Sequence, residues 1–339
     1  KIKSTYVDRF RDRNENGRYY FYFKQNGTVS GRYGSDAQQL PKPLEEGEDA
    51  PIIMKYVNIV RAFLTAGNGR KVIDADYESL EPHCFASVTG DKKLQEIFAN
   101  GYDFYSYVAI QTENLKGVSA DKKADNYLKK LDPVKRNKAK AYSLGVAYGM
   151  EAYALKMTLG VDQKTAEELI KGYLDGFPQL KEWRENSRRQ VKDHGYIKNY
   201  VGRIRHIPKV KRIYEKFGER ILDWRFRNQL SEQYGKDQVL KVYRDYRNGL
   251  NNCLNFQLQS LAASVVNRAA LQINRKAKEL GIDAIVQAQV HDQLIINIKE
   301  DQADTFAPYV QSIMENTTKL PGVTLKAPPE IADNWKEGH

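Results

Sequence analysis

The stretch at residues 282–298, IDAIVQAQVHDQLIINI, restricts the fold more than any other part of the chain. Two halves rich in β-branched and apolar residues flank His291-Asp292, so the chain turns back there as a hairpin with an acid at its tip. A hairpin commits the chain to an antiparallel sheet. A second strand signal, KVIDADY, ends in acids: Asp74, Asp76, Glu78 and Glu81 follow Val72 and Ile73, and apolar residues then resume. Taken alone, each Asp reads first as a turn residue or cap. Two strand ends that close on carboxylates also suit magnesium, which takes a few carboxylates and keeps its waters. Asp76 and Asp292 are far apart in sequence, so only the fold can bring them together.

Most of the intervening chain has helical spacing. A helix is expected over 52–65 and a helical stretch broken at Gly101 over 91–111. A long helical stretch over 132–160 starts at LDP, with Asp132 as N-cap and Pro133 in the first turn. Two helices split at Phe177-Pro178 cover 165–195, and another covers 251–280. RYYFYFKQ at 18–25 alternates like a strand, and 26–43 reads as a polar loop. Residues 203–250 are basic and aromatic with little apolar periodicity, and read as exposed helices and loops.

The 339 residues carry a formal net charge of +11, which favours a polyanionic partner, nucleic acid above all. Cys84 and Cys253 have no paired spacing, which argues against a disulfide scaffold or a Cys-ligated zinc. No apolar run is long enough for a membrane span.

A third stretch, RNKAKAYSLGVAYG, places Arg136, Lys140, Leu144 and Tyr148 at i, i+4 spacing, followed by Gly149. That spacing keeps them on nearly one helix face. Arg and Lys on successive turns suit nucleotide phosphates, and Tyr148 can stack on a base. By itself, such a helix reads first as a surface helix with two solvated cations.

Together these stretches resemble the polymerase domain of family A DNA polymerases, the group of bacterial DNA polymerase I and many phage replicases. The family's D-Y-S-Q-I-E stands here as Asp76-Tyr77-Glu78-Ser79-Leu80-Glu81. Its R-x3-K-x3-F/Y-x3-Y-G stands as Arg136, Lys140, Leu144, Tyr148 and Gly149. Its Q-V-H-D-E stands as Gln289-Val290-His291-Asp292-Gln293. SGRYGSDAQQLP, GYIKNYVGRIRHIP, NFQLQSLAAS and the terminal DNWKEGH resemble further family segments in order.

The resemblance implies an α+β right-hand polymerase fold, with an antiparallel palm sheet, helical fingers, and the thumb and exonuclease domain largely absent. Residues 1–90 are expected to start the palm with at most a thumb base. Residues 91–250 would form the fingers, with a basic insertion at about 209–250, and 251–339 would complete the palm. The implied activity is template-directed DNA synthesis. Asp76, Asp292 and the Tyr77 carbonyl would hold two Mg²⁺ ions, with Mn²⁺ as a substitute. Arg136 and Lys140 would bind the dNTP, and Lys140 would protonate the departing pyrophosphate. Leu144 and Tyr148 would line the insertion site, and Glu81 would exclude ribonucleotides. Arg32, Gln38, Gln39, Arg203, Asn255, Gln259 and His291 would contact primer-template DNA. Asp74, outside the motif, is expected as a supporting or solvated acid.

The sequence departs from the family at several positions. Leu144 replaces an aromatic, Gln293 an acid, Asn251 an Arg, and His83 an Arg. Leu144 looks like some phage members, so a phage or viral origin and a cytoplasmic location are expected. A separate N-terminal polymerase or exonuclease chain, or another replisome protein, is a further expected partner, because so little precedes Asp76. Two alternatives are a DNA-binding fragment that is inactive without its thumb and a single-subunit RNA polymerase. Glu81 argues against the latter.

Overall fold

A computed structural model describes residues 8–25, 27–40 and 60–338. It divides into two compact units. The first comprises residues 1–80, 262–319 and 325–339, and the second 81–261 and 320–324.

The first unit is built on a four-stranded antiparallel sheet ordered Pro329–Ala332, Arg70–Asp76, Gln293–Lys299, Ala284–Val290. Gln293–Lys299 is buried up to its last residue and Arg70–Asp76 from Val72 to Ala75, as strands covered on both faces must be. The edge strand Ala284–Val290 alternates in burial until its last three residues, and its register shifts between Val286 and Ala288. The register sets the faces. Val72, Asp74 and Asp76 oppose Asn297, Ile295 and Gln293, so the acids share one face with Val72. Ala37, Leu40, Val72, Ala288, Val290, Ile295 and Trp335 form one apolar cluster. The helix Ala303–Asn316 packs against the strands Arg70–Asp76 and Pro329–Ala332.

The second unit is helical. Asp91 and Asp103 cap the helices Lys92–Ala99 and Phe104–Glu113 by accepting from the N–H groups of Leu94 and Ser106. Asp132 caps Pro133–Ala147 by accepting from Lys135 N, with Pro133 in the first turn. Phe85, Leu94, Phe104, Tyr142, Tyr173 and Phe177 fill the main core. A second cluster around Val191, Val210, Tyr246 and Leu254 joins the helices Pro178–His194, Pro208–Phe217 and Lys236–Leu280.

Four expectations need correction. The strand read over 18–25 is broken, with only Arg18–Tyr19 and Phe23–Lys24 in strands. Between them the Tyr22 N–H donates to Asp36 Oδ1 at 3.0 Å in place of a ladder bond. The helix read over 132–160 is two helices, Pro133–Ala147 and Ala152–Leu159, because Gly149 takes a left-handed φ of 97°. The helix read over 251–280 begins at Lys236, so the basic region is more helical than its periodicity suggests. Of the helix expected over 52–65, residues 52–59 lie outside the described residues, and Val60–Phe63 form turns. Residues 26 and 41–43 of the expected loop and His339 of the terminal motif also lie outside them. No helix among the described residues is long and apolar enough to cross a membrane.

One helical glycine records a close approach. A Cβ on Gly249 would overlap Val210 Cγ2 and lie 3.2 Å from Ile207 Cγ2. Glycine inside a helix costs about 1 kcal/mol relative to Ala, and the tight seat of Val210 offsets that. Gly249→Ala is therefore expected to destabilise the protein by about 1–3 kcal/mol despite its better helix propensity. Urea denaturation of the variant beside the parent measures this.

Candidate active site

The hairpin register places Asp76 and Asp292 at the same end of the sheet. Asp76 is the last residue of its strand and pairs with Gln293, and Asp292 precedes Gln293 in the turn. The Tyr77 N–H donates to the Asp292 carbonyl at 3.4 Å, which carries the pairing one step past the strand end. The turn itself is unusual. His291 has φ 57°, a left-handed conformation that glycine or asparagine fills at low cost. The Tyr77 ring is buried and its hydroxyl donates to the Met314 carbonyl at 2.7 Å, which fixes the backbone beside Asp76.

Asp74 is not a solvated acid. It is 2% exposed, and Gln293 Nε2 lies 2.7 Å from each of its carboxylate oxygens. Burial pushes its pKa up to about 7, against the Gln293 hydrogen bonds and with the charge of Asp76. Arg61, which sequence reasoning missed, is also buried. Its guanidinium lies 4.4 Å from the Trp335 ring centroid and donates to the Leu40 carbonyl at 3.3 Å. Burial lowers its pKa, while the charges of Asp74 and Asp76 oppose that shift. A buried cation is thus built in beside the acids. No sequence motif marks it, because its neighbours come from distant segments.

The donors available here are hard oxygens: the carboxylates of Asp76 and Asp292 and the carbonyl of Tyr77. Among the described residues no three or more His, Cys, Asp and Glu side chains cluster as a metal cage. Two carboxylates and a carbonyl fit an ion that completes its shell with water and phosphate, which is the habit of magnesium.

Also in the first unit, Gln38 Nε2 donates to the Tyr33 carbonyl at 2.8 Å, and Gln39 is exposed. Arg32 is half-buried beside Gly31, whose carbonyl accepts from Asn267 at 3.4 Å. Asn267 in turn accepts from Gln289 Nε2 at 3.0 Å. This chain ties the 30–33 segment to the hairpin strand, and Asn267 was not anticipated.

The second unit holds the cationic helix. Arg136, Lys140 and Leu144 lie along Pro133–Ala147, and Tyr148 is its C-terminal cap residue. Tyr148 Oη donates to Glu81 Oε2 at 2.9 Å, which joins two of the expected insertion-site residues. Lys140 Nζ lies 5.8 Å from the centre of the Tyr105 ring. Arg136 is not a free cation. Its Nε and Nη2 donate to the two oxygens of Asp103 at 2.7 and 3.0 Å, a two-pronged pair. Asp103 also caps its own helix and accepts from Ser106 Oγ at 2.5 Å.

Asn251, where the family has an Arg, accepts from Arg188 Nη2 at 3.1 Å, and Gly149 sits against both groups. A side chain at Gly149 would overlap Asn251 Oδ1. Asn255 and Gln259 follow at i+4 spacing on the same helix. Arg203 is exposed, and its N–H is held by Asn199 Oδ1 at 2.8 Å. His83 is buried against Phe98, with ring centres 4.1 Å apart.

Burial raises the Asp103 pKa, but the bonds from Arg136 and Ser106 outweigh it and hold the carboxyl below its ordinary 3.8. A depressed acid contributes stability above its unfolded pKa and loses it as pH falls through the folded one. Asp103→Ala strands the Arg136 charge and is expected to cost about 3–5 kcal/mol at pH 7. The gap between variant and parent should close as pH falls well below 3.8, as chemical denaturation at several pH values would show.

Comparison with known proteins accords with this geometry. A family model described as DNA polymerase family A matches residues 1–337. The thermostable DNA polymerase I of Thermus filiformis is 27% identical over 339 residues, 99% of this chain and 35% of its own. DNA polymerase I of Pseudomonas aeruginosa is 25% identical, over 100% of this chain and 32% of its own. The chain thus spans about a third of the length of the curated relatives it matches. A solved structure of the POL domain of Pol1 from M. smegmatis, in complex with DNA primer-template and dNTP, superposes with a TM-score of 0.77. It is 23% identical and covers 99% of this chain and 50% of that one. The fold is the α+β fold of that polymerase domain, and the chain belongs to DNA polymerase family A.

Proposed function

We propose that the chain carries out template-directed DNA synthesis, adding dNTPs to a primer 3′-hydroxyl with release of pyrophosphate. The observation that carries this is the hairpin register, which brings Asp76 at a strand end opposite Gln293 and so beside Asp292 in the turn. Family membership and the printed primer-template and dNTP of the M. smegmatis domain support it.

The carboxylates of Asp76 and Asp292 and the carbonyl of Tyr77 would hold two Mg²⁺ ions. The chemistry a metal would supply when bound there is neutralisation of triphosphate charge and activation of the primer hydroxyl. Tyr77 keeps its carbonyl placed through the buried hydroxyl bond to Met314. His291 fixes the turn that presents Asp292 and orients the primer end. Lys140 binds the triphosphate and gives a proton to the leaving pyrophosphate. Arg136 binds the same phosphates by exchanging its Asp103 carboxylate for phosphate oxygens, which present similar paired acceptors. Tyr148 stacks at the templating base while its hydroxyl holds Glu81. Glu81 then fills the space that a 2′-hydroxyl would need. Arg32, Gln38, Gln39, Arg203, Asn255 and Gln259 contact the duplex through phosphates and minor-groove acceptors.

Primer extension by this chain with Mg²⁺ and dNTPs, beside Asp292→Ala, tests the assignment. Extension by the parent should fall roughly 10³-fold or more in the variant. Undiminished extension by Asp292→Ala would refute it. Glu81→Ala should raise ribonucleotide incorporation relative to deoxyribonucleotide by roughly 10–100-fold, read from single-nucleotide insertion rates.

A further inference from the structure

Nothing in the polymerase reading uses residues 209–234. Yet residues 203–250 hold thirteen Lys and Arg against six Asp and Glu, a large share of the chain's +11. The helix Pro208–Phe217, the short 3-10 turn Gly218–Leu222 and the helix Trp224–Tyr234 build this surface. Phe217 and Phe226 meet edge to face at 6.4 Å and hold the two helices together. Cations lie over the rings. Lys216 Nζ is 5.1 Å from Phe217 and 5.5 Å from Tyr234, Arg220 is 4.7 Å from Phe226, and Arg225 is 5.7 Å from Trp224.

The nearby acids are mostly engaged elsewhere. Glu215 lies 3.5 Å from Lys211, Glu219 pairs with Lys192 at 2.7 Å, and Asp223 caps the second helix through Arg225 N. Glu232 remains on the same helix. Among the described residues Lys216, Arg220 and Arg225 have no ion pair, so their charge faces outward. The Trp224–Tyr234 helix has no buried residue, and Trp224 is 61% exposed. The helix rests on the fold through Phe226, Arg227 and Leu230 and turns an indole, a phenol and cations without a carboxylate partner to solvent.

We propose that this surface binds single-stranded DNA as a site separate from the polymerase site. Lys216, Arg220 and Arg225 supply phosphate contacts, and Trp224 and Tyr234 supply faces on which bases stack. Alternating cations and open aromatic faces fit unpaired nucleotides better than a duplex, whose bases are already stacked. The inference goes beyond the polymerase reading, and its test needs no catalytic activity.

The probe is a fluorescein-labelled oligo-dT of roughly 16 nucleotides, followed by anisotropy and by Trp emission. Parent emission should be quenched on titration, and that quench should be lost in Trp224→Phe. The triple variant Lys216→Gln, Arg220→Gln, Arg225→Gln should bind roughly tenfold or more weakly. Its plot of log K against log salt should be shallower by about 2, as three lost phosphate contacts on a single strand require. A melting temperature equal to the parent's shows that the triple variant is folded. Unchanged affinity and salt slope in that folded variant would overturn the proposal. Parent Trp emission that does not move at saturating oligonucleotide would overturn it as well, independently of how the triple variant folds.

Discussion

The pairing of Arg70–Asp76 with Gln293–Lys299 is the constraint on which the candidate active site rests. Seven cross-strand pairs fix it, from Arg70 opposite Lys299 to Asp76 opposite Gln293. A slip of one residue would turn every side chain of the strand to the other face. Asp74 and Asp76 would then be buried among the apolar residues that surround Ile73 and Ala75, where a carboxylate is costly. The apolar pattern therefore enforces the positions of the acids. Ile73, Ile296, Leu294 and Ala75 are almost fully buried, so their burial holds the carboxylates in register without any carboxylate having to stabilise the sheet. The hairpin adds the second acid by geometry alone, because a two-residue turn after Val290 leaves Asp292 no other place.

Concentrating acids at a buried strand end has an electrostatic cost, and the surroundings offset it at two levels. Gln293 gives hydrogen bonds to Asp74 without adding charge, and buried Arg61 supplies a cation within reach of both Asp74 and Asp76. In the second unit Asp103 does the reverse for Arg136, holding a cation in place with a carboxylate. The paired guanidinium is held at two nitrogens, so its plane and direction are fixed by the carboxylate.

Much of this was legible in the sequence because it rests on short-range rules. The hairpin, the Asp132-Pro133 start and the Phe177-Pro178 break are each written in a few adjacent residues. What stayed illegible depends on distant neighbours. Nothing near Arg61 shows that Trp335 and Leu40 will enclose it. Nothing near Asp103 shows that its carboxylate serves both its own helix and Arg136. The RYYFYFKQ segment alternates like a strand, but whether it pairs depends on a partner. Asp36, from a different turn, takes the Tyr22 N–H that a ladder would have used. The long helix from Lys236 was underestimated although Val239, Val242, Tyr243, Tyr246 and Leu250 recur at helical spacing, because the Lys, Arg and Asp residues around them mask that stripe.

The departures from the family pattern take on meaning once their neighbours are known. Gln293 stands where the family carries an acid, but Asp74 lies across the ladder with its oxygens 2.7 Å from the amide nitrogen. A Glu at 293 would set two carboxylates against each other in a buried place, so the amide and the neighbouring acid make sense only together. Asn251 stands where an Arg is usual, and it accepts from Arg188 behind Gly149. The guanidinium is still present there, brought from another helix and oriented by the amide. In both places the chemical group expected at one position is supplied by its neighbour.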